Sequence, residues 1–179
     1  MTTYSLYDIT VPAFQRQLAG LSWVLCKADQ YYREQGKDTA QLMTDSLAPD
    51  MFNLGMQVMM VLQHSIGAVE RTLGQPDRIP LAPLATLADA RAAVVDAQAR
   101  LKLITPEQID ASLDRQLKWD PRGTGGMSFD GAKAYLVDFV TPNFWFHTTT
   151  CYAIVRKNGV PIGKGDFMAR GEAPEGLAA

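Results

Sequence analysis

Apolar residues recur at Phe14, Leu18, Leu21 and Leu25, the interval of one face of a helix. This spacing predicts a first long helix capped by Thr10, with Pro12 in the first turn, where a missing amide hydrogen costs nothing, and a stop at Gly36. Asp38 can cap a short turn through Met43, and Leu47-Ala48-Pro49-Asp50 then breaks the chain. Asp50 is the expected cap of a second long helix over Met51 to Leu73, which Gly74 ends.

Prolines 76, 80 and 83 keep Gln75 to Leu84 extended, a length suited to crossing one end of a helical bundle. Thr86 and Asp89 imitate a capping box for a third long helix from Leu87 to about Ile104, and Thr105-Pro106-Glu107 starts a further short turn. The pattern then changes. Leu113, Leu117 and Trp119 precede a Gly-rich turn from Asp120 to Gly126, and Met127, Ser128 and Phe129 follow, which predicts a small hairpin. Asp130 recaps the chain for a helix over Ala132 to Phe139, a fourth long helix runs from about Pro142 to Lys157, and Asn158-Gly159 closes it. The remainder is an irregular tail, expected to be mobile from about 168. Four long helices with connections of uneven length describe an all-α four-helix bundle with crossovers and a β-hairpin insertion.

Composition narrows the class. With 47% apolar and 20% charged residues over 179 positions, the chain can bury one ordinary core, so residues 1–179 are expected to form a single domain. Its 17 basic against 19 acidic residues give a net charge of -2, which removes the counterion-release drive of a general nucleic-acid binder. The longest apolar stretch, Met51 to Val69, is interrupted by Asn53, Gln57, Gln63 and His64, which a bilayer would penalise, so no membrane partner is expected. Two cysteines and no secretory leader point to a reducing cytoplasm.

Candidate chemistry gathers on two stripes. Asn53, Gln57, Met60 and His64 share a face of the second long helix, and Asn143, His147 and Cys151 share one of the fourth. If the stripes face each other, His64, His147 and Cys151 could ligate a divalent metal such as zinc or nickel, with Gln57 and Asn143 orienting the ligands. Without metal, His147 could still serve as an acid or base. The same residues also read as plain core: a helix histidine satisfied by a neighbouring carbonyl or amide, and a helix cysteine behaving as a small hydrophobe. Tyr152, Arg156, Asn158, Lys164 and Asp166 make either an anion-holding pocket or a clasp for the tail. Four methionines between Met51 and Met60 fill the core or line a flexible apolar pocket.

Three ordered motifs carry a family likeness: Leu47-Ala-Pro-Asp-Met-Phe52, Pro142-Asn-Phe-Trp-Phe-His147, and Asn158-Gly-Val-Pro-Ile-Gly-Lys-Gly-Asp-Phe167. Through them the chain resembles, from about Tyr4 to Phe167, a family of uncharacterised proteins within the DinB/YfiT-like four-helix-bundle superfamily. The resemblance implies a bundle whose characterised relatives include thiol-dependent transferases and isomerases, with a metal on one histidine of the second helix and two, four apart, on the last. His64 matches the first and His147 the earlier of the pair. Cys151 stands where the later histidine belongs, so the site is either a His/Cys variant or a polar pocket without its ion. Two functions follow as expectations. One is a small-molecule enzyme with a pocket between the second and fourth helices, lined by Asn53, Gln57, Asn143 and Tyr152. The other is a non-catalytic homodimer that binds a small ligand and buries its aromatic helix faces.

Overall fold

The computed structural model describes residues 4–169 apart from Asp77 and Arg122. The first long helix, α1 (Leu6–Glu34), begins earlier than the spacing predicts. Ser5 and Asp8 form a capping box ahead of it, and Thr10 lies inside, its hydroxyl donating to the Leu6 carbonyl at 2.7 Å. Pro12 therefore sits within the second turn, at the cost of a backbone bond. Asp38 caps α2 (Thr39–Thr44) as expected.

The second long helix is two helices. Asn53, not Asp50, caps α3 (Leu54–Gln63), which ends at His64. Ser65 leaves helical geometry (φ -123°, ψ -98°), and α4 (Ile66–Thr72) follows. The break is held by polar groups that apolar spacing does not reveal. Ser65 Oγ donates to the Val61 carbonyl at 2.7 Å, and Arg71 Nη2 donates to the Gln63 carbonyl at 2.6 Å. Buried backbone oxygens at a helix end need such partners.

The proline-bearing strap crosses α3. Gln63 Nε2 donates to the Ile79 carbonyl, and the Leu84 amide to the Gly55 carbonyl at 3.2 Å. A Cβ on Gly55 would stand 2.2 Å from the Leu84 oxygen, so this approach requires glycine. Thr86 and Asp89 cap α5 (Leu87–Leu101) and Thr105 with Gln108 caps α6 (Pro106–Asp110). Strands β1 (Leu117–Trp119) and β2 (Met127–Phe129) pair antiparallel, with Lys118 opposite Ser128.

A short α7 (Gly131–Lys133) leads into a π-helical segment (Ala134–Val140) and directly into α8 (Thr141–Lys157). Asp130 precedes it without capping it; its carboxylate accepts from Gln116 instead. The sequence suggests an interruption before Pro142, yet the helix continues. The wider turn accommodates the proline: the Thr141 amide and hydroxyl both reach the Leu136 carbonyl, five residues back, and Asn143 Nδ2 takes the Phe139 carbonyl at 2.7 Å.

α1 packs against α5 and α8, and α3 against the same two, which places α1 and α3 across the diagonal of the bundle. The core between them is apolar, from Phe14, Leu18 and Leu25 to Val58, Val94, Phe144 and Ile154. No helix among the described residues is long and apolar enough to cross a membrane. The tail returns onto α1 through α9 (Lys164–Phe167), where Asp166 accepts from Trp23 Nε1 at 2.7 Å and pairs with Lys27 at 2.6 Å. Most of the stretch expected to be mobile lies outside the described residues.

Candidate functional site

The packing of α3 on α8 brings two histidines together. His64 ends α3 at the break, His147 lies on the second turn of α8, and their rings are nearly parallel with centroids 5.7 Å apart. Gln57, two turns before His64, sets the state of His147. Its Nε2 donates to the Phe52 carbonyl at 3.2 Å, which turns Oε1 toward His147 Nδ1 at 2.7 Å. An amide oxygen only accepts, so Nδ1 carries the proton and Nε2 keeps its lone pair.

His64 is fully buried, and neither ring nitrogen has a hydrogen-bond partner among the described residues. Aromatic rings surround it, with Trp119 at 5.3 Å and Phe139 at 5.5 Å between centroids. The buried Nε1 of Trp119 also lacks a partner there. Burial first, then the proximity of His147 and Arg71, lowers the His64 pKa to about 3. Burial alone lowers that of His147 to about 4, so both imidazoles are neutral near pH 7.

Cys151 stands one turn beyond His147 but belongs to the apolar core, fully buried, where desolvation pushes its thiol well above the ordinary value. Among the described residues no three His, Cys, Asp or Glu side chains form a group able to hold a metal ion. The ligand set expected of His64, His147 and Cys151 is thus not assembled; two imidazoles are. A catalytic zinc site of the usual kind takes three protein ligands, and two neutral nitrogens with a protonated core thiol do not fit that pattern.

The remaining expected pocket residues divide. Gln57 belongs to the site. Asn53 caps α3 and borders a separate open depression of about 390 Å³ near Pro49 and Pro83. Asn143 braces the π-helical turn. Tyr152 packs edge-on against Phe167 in the tail clasp, with Arg156 on the Val160 carbonyl and Asn158 on Asp45.

A cleft of about 340 Å³ meets the surroundings of His64 at Trp119, and neither histidine lines it. Phe52, Met56 and Met60 of the α3 side form one wall, Leu81 of the strap another, and Trp119, Asp120 and Met127 of the hairpin the third. Trp119 is common to the cleft and to the packing around His64. Its part in the site was missed from sequence, where it counted only as a strand residue; an aromatic bordering a Gly-rich turn was the available signal. Phe139, in the π-helical segment, carried no signal.

The model of a domain of unknown function, DUF1993, matches residues 6–168. The chain belongs to this family. None of the curated proteins compared with it matches. Among solved structures, the DUF1993 chain is similar to a DinB family member protein from Shewanella denitrificans, determined at 1.83 Å. The two are 28% identical over 94% of this chain and 93% of that one, with a TM-score of 0.78. The bundle is thus DinB-like, as the three motifs suggested.

Proposed function

We propose that this DUF1993 chain binds, and chemically acts on, a small molecule that enters by the cleft at Trp119 and reaches His147 behind it. The carrying observation is the fixed tautomer of His147: Gln57 holds the proton on Nδ1, so Nε2 keeps its lone pair. With a pKa of about 4 the ring is neutral at pH 7, so it accepts a proton or hydrogen bond from the bound compound rather than supplying one. The methionines and Trp119 receive an apolar body. Gln57 is the positioning residue.

A thermal-shift screen with small thiols and small carbonyl compounds tests this reading. Ligands are expected whose stabilisation disappears in His147→Ala and persists in Tyr152→Phe, which lies in the tail clasp. A screen without hits, or hits indifferent to His147, removes it.

A second reading has its own observation. Trp145 and Phe146 on α8 are 38% and 55% exposed, an aromatic stretch suited to the interface of a homodimer that binds a ligand without turning it over. Sedimentation showing only monomer at high micromolar concentration would remove the dimer.

A further inference from the structure

Trp119 stands at the junction of the cleft and the ring packing over His64, and it is the last residue of β1. The backbone on either side of it is held. Leu117 is buried, Phe129 packs on Tyr135 and Phe139, and the strands pair from Leu117 with Phe129 to Trp119 with Met127. At the tip, Asp120 accepts from the Thr124 and Gly125 amides at 2.9 and 3.1 Å, and a Cβ on Gly126 (φ +53°) would lie 2.4 Å from the Trp119 carbonyl oxygen. Freedom at this position therefore belongs to the indole and not to the strand.

The indole itself is weakly fixed. Seated over His64, it gains ring contacts with that imidazole and with Phe139, at 5.3 Å to each. The same seat leaves three nitrogens buried without a partner among the described residues, both of His64 and Nε1 of Trp119. Unmatched buried donors and acceptors cost at least as much as such ring contacts contribute, so the seat is favoured by little. Trp119 is only half-buried, and the unfilled cleft of about 340 Å³ borders it, so the ring has room to leave. Once it leaves, water supplies hydrogen bonds to Nε1 and to the His64 ring.

We propose that Trp119 is the gate of the site: its indole moves between the seat over His64 and an open position, and only the open position lets a molecule pass from the cleft to the two histidines. The gate rests on the small-molecule reading above and adds the residue that controls admission. Neither histidine lines the cleft, yet the His64 ring packs against both Trp119 and His147. On this path the indole stands between the apolar cleft and the first imidazole. Closed, it keeps water from the imidazoles, as moving segments do in many enzyme sites.

Hydrogen exchange at Trp119 Nε1, followed in nitrogen-15 spectra of the full chain and assigned with Trp119→Phe, reads the opening directly. Exchange should run far faster than global unfolding permits, and its rate should stay nearly constant in low urea, because a side-chain movement exposes little surface. His64→Leu removes two of the three unmatched nitrogens and should slow this exchange at least about tenfold. Trp119→Ala removes the gate. Diethyl pyrocarbonate, which acylates neutral imidazole, should then modify the histidines at least about tenfold faster than in the parent chain, read by mass spectrometry. Exchange limited by global unfolding overturns the proposal, as does exchange unchanged or faster in His64→Leu, or acylation no faster in Trp119→Ala. Should Trp119→Ala fail to fold, the exchange measurements decide alone. They need no ligand, so a failure of the gate and a failure of the thiol and carbonyl screen are read apart.

Discussion

Gln63 and His64 are neighbours in the chain and both are buried, yet their polar atoms fare oppositely. Gln63 Oε1 accepts from Arg71 Nη1 at 2.8 Å, its Nε2 reaches Ile79, its carbonyl takes another Arg71 hydrogen, and Arg71 Nε extends the network to Tyr135. Nearby, the buried Glu70 carboxylate is clasped by Arg100 through two hydrogen bonds. His64 has no such partner among the described residues. The α4 side is a satisfied polar network, whereas the His64 side leaves buried polar atoms unmatched among the described residues.

The contrast can be broken from the satisfied side with the largest effect. Arg100→Met strips the cation from Glu70, which remains buried, and should cost about 3–5 kcal/mol in urea unfolding. A second effect comes from acid. Both histidines have folded pKa values, about 3 and about 4, below the ordinary 6.5, so the unfolded chain binds more protons between those limits. Stability contributed by the neutral rings is complete above pH 6.5 and is lost as pH falls toward 4 and then 3. His64→Leu should flatten this slope; an unchanged slope would show that His64 does not titrate as its burial requires. The smallest change sharpens the comparison by its sign. At pH 7 the same variant should raise stability by about 1 kcal/mol, because it deletes unmatched buried nitrogens and keeps an apolar side chain among apolar rings. A loss of stability would mean that His64 has partners in solution and is structural like Gln63.

Much of the bundle is legible in the sequence because local rules suffice for it. The apolar faces of α1, α5 and α8, the Asp38, Thr86 and Thr105 caps and the hairpin all follow from spacing and turn chemistry. Misreadings arise where polar groups overrule the apolar period. Thr10 satisfies Leu6 and lets α1 begin earlier, and Ser65 with Arg71 holds open a break inside an unbroken apolar run. Thr141 and Asn143 carry a helix past Pro142.

The candidate site divides along the same line. That His64 and Gln57 share one helix face, and His147 and Cys151 another, is helical arithmetic and was readable in advance. Four-residue spacing says nothing of depth, and the packing sends Cys151 into the apolar core while leaving His147 beside Gln57. Trp119 could not be placed because it arrives from a hairpin fifty-five residues beyond His64, a distance over which no local periodicity operates.

By itself the chain specified helices, stops and two nitrogen-bearing faces, since these depend on neighbours a turn or less apart. Which polar atoms met a partner, which thiol stayed dry and which indole closed over His64 were decided only when α3, α8 and the hairpin packed together. Hydrogen-bond satisfaction and desolvation are properties of that assembled interior, and no single segment contains them.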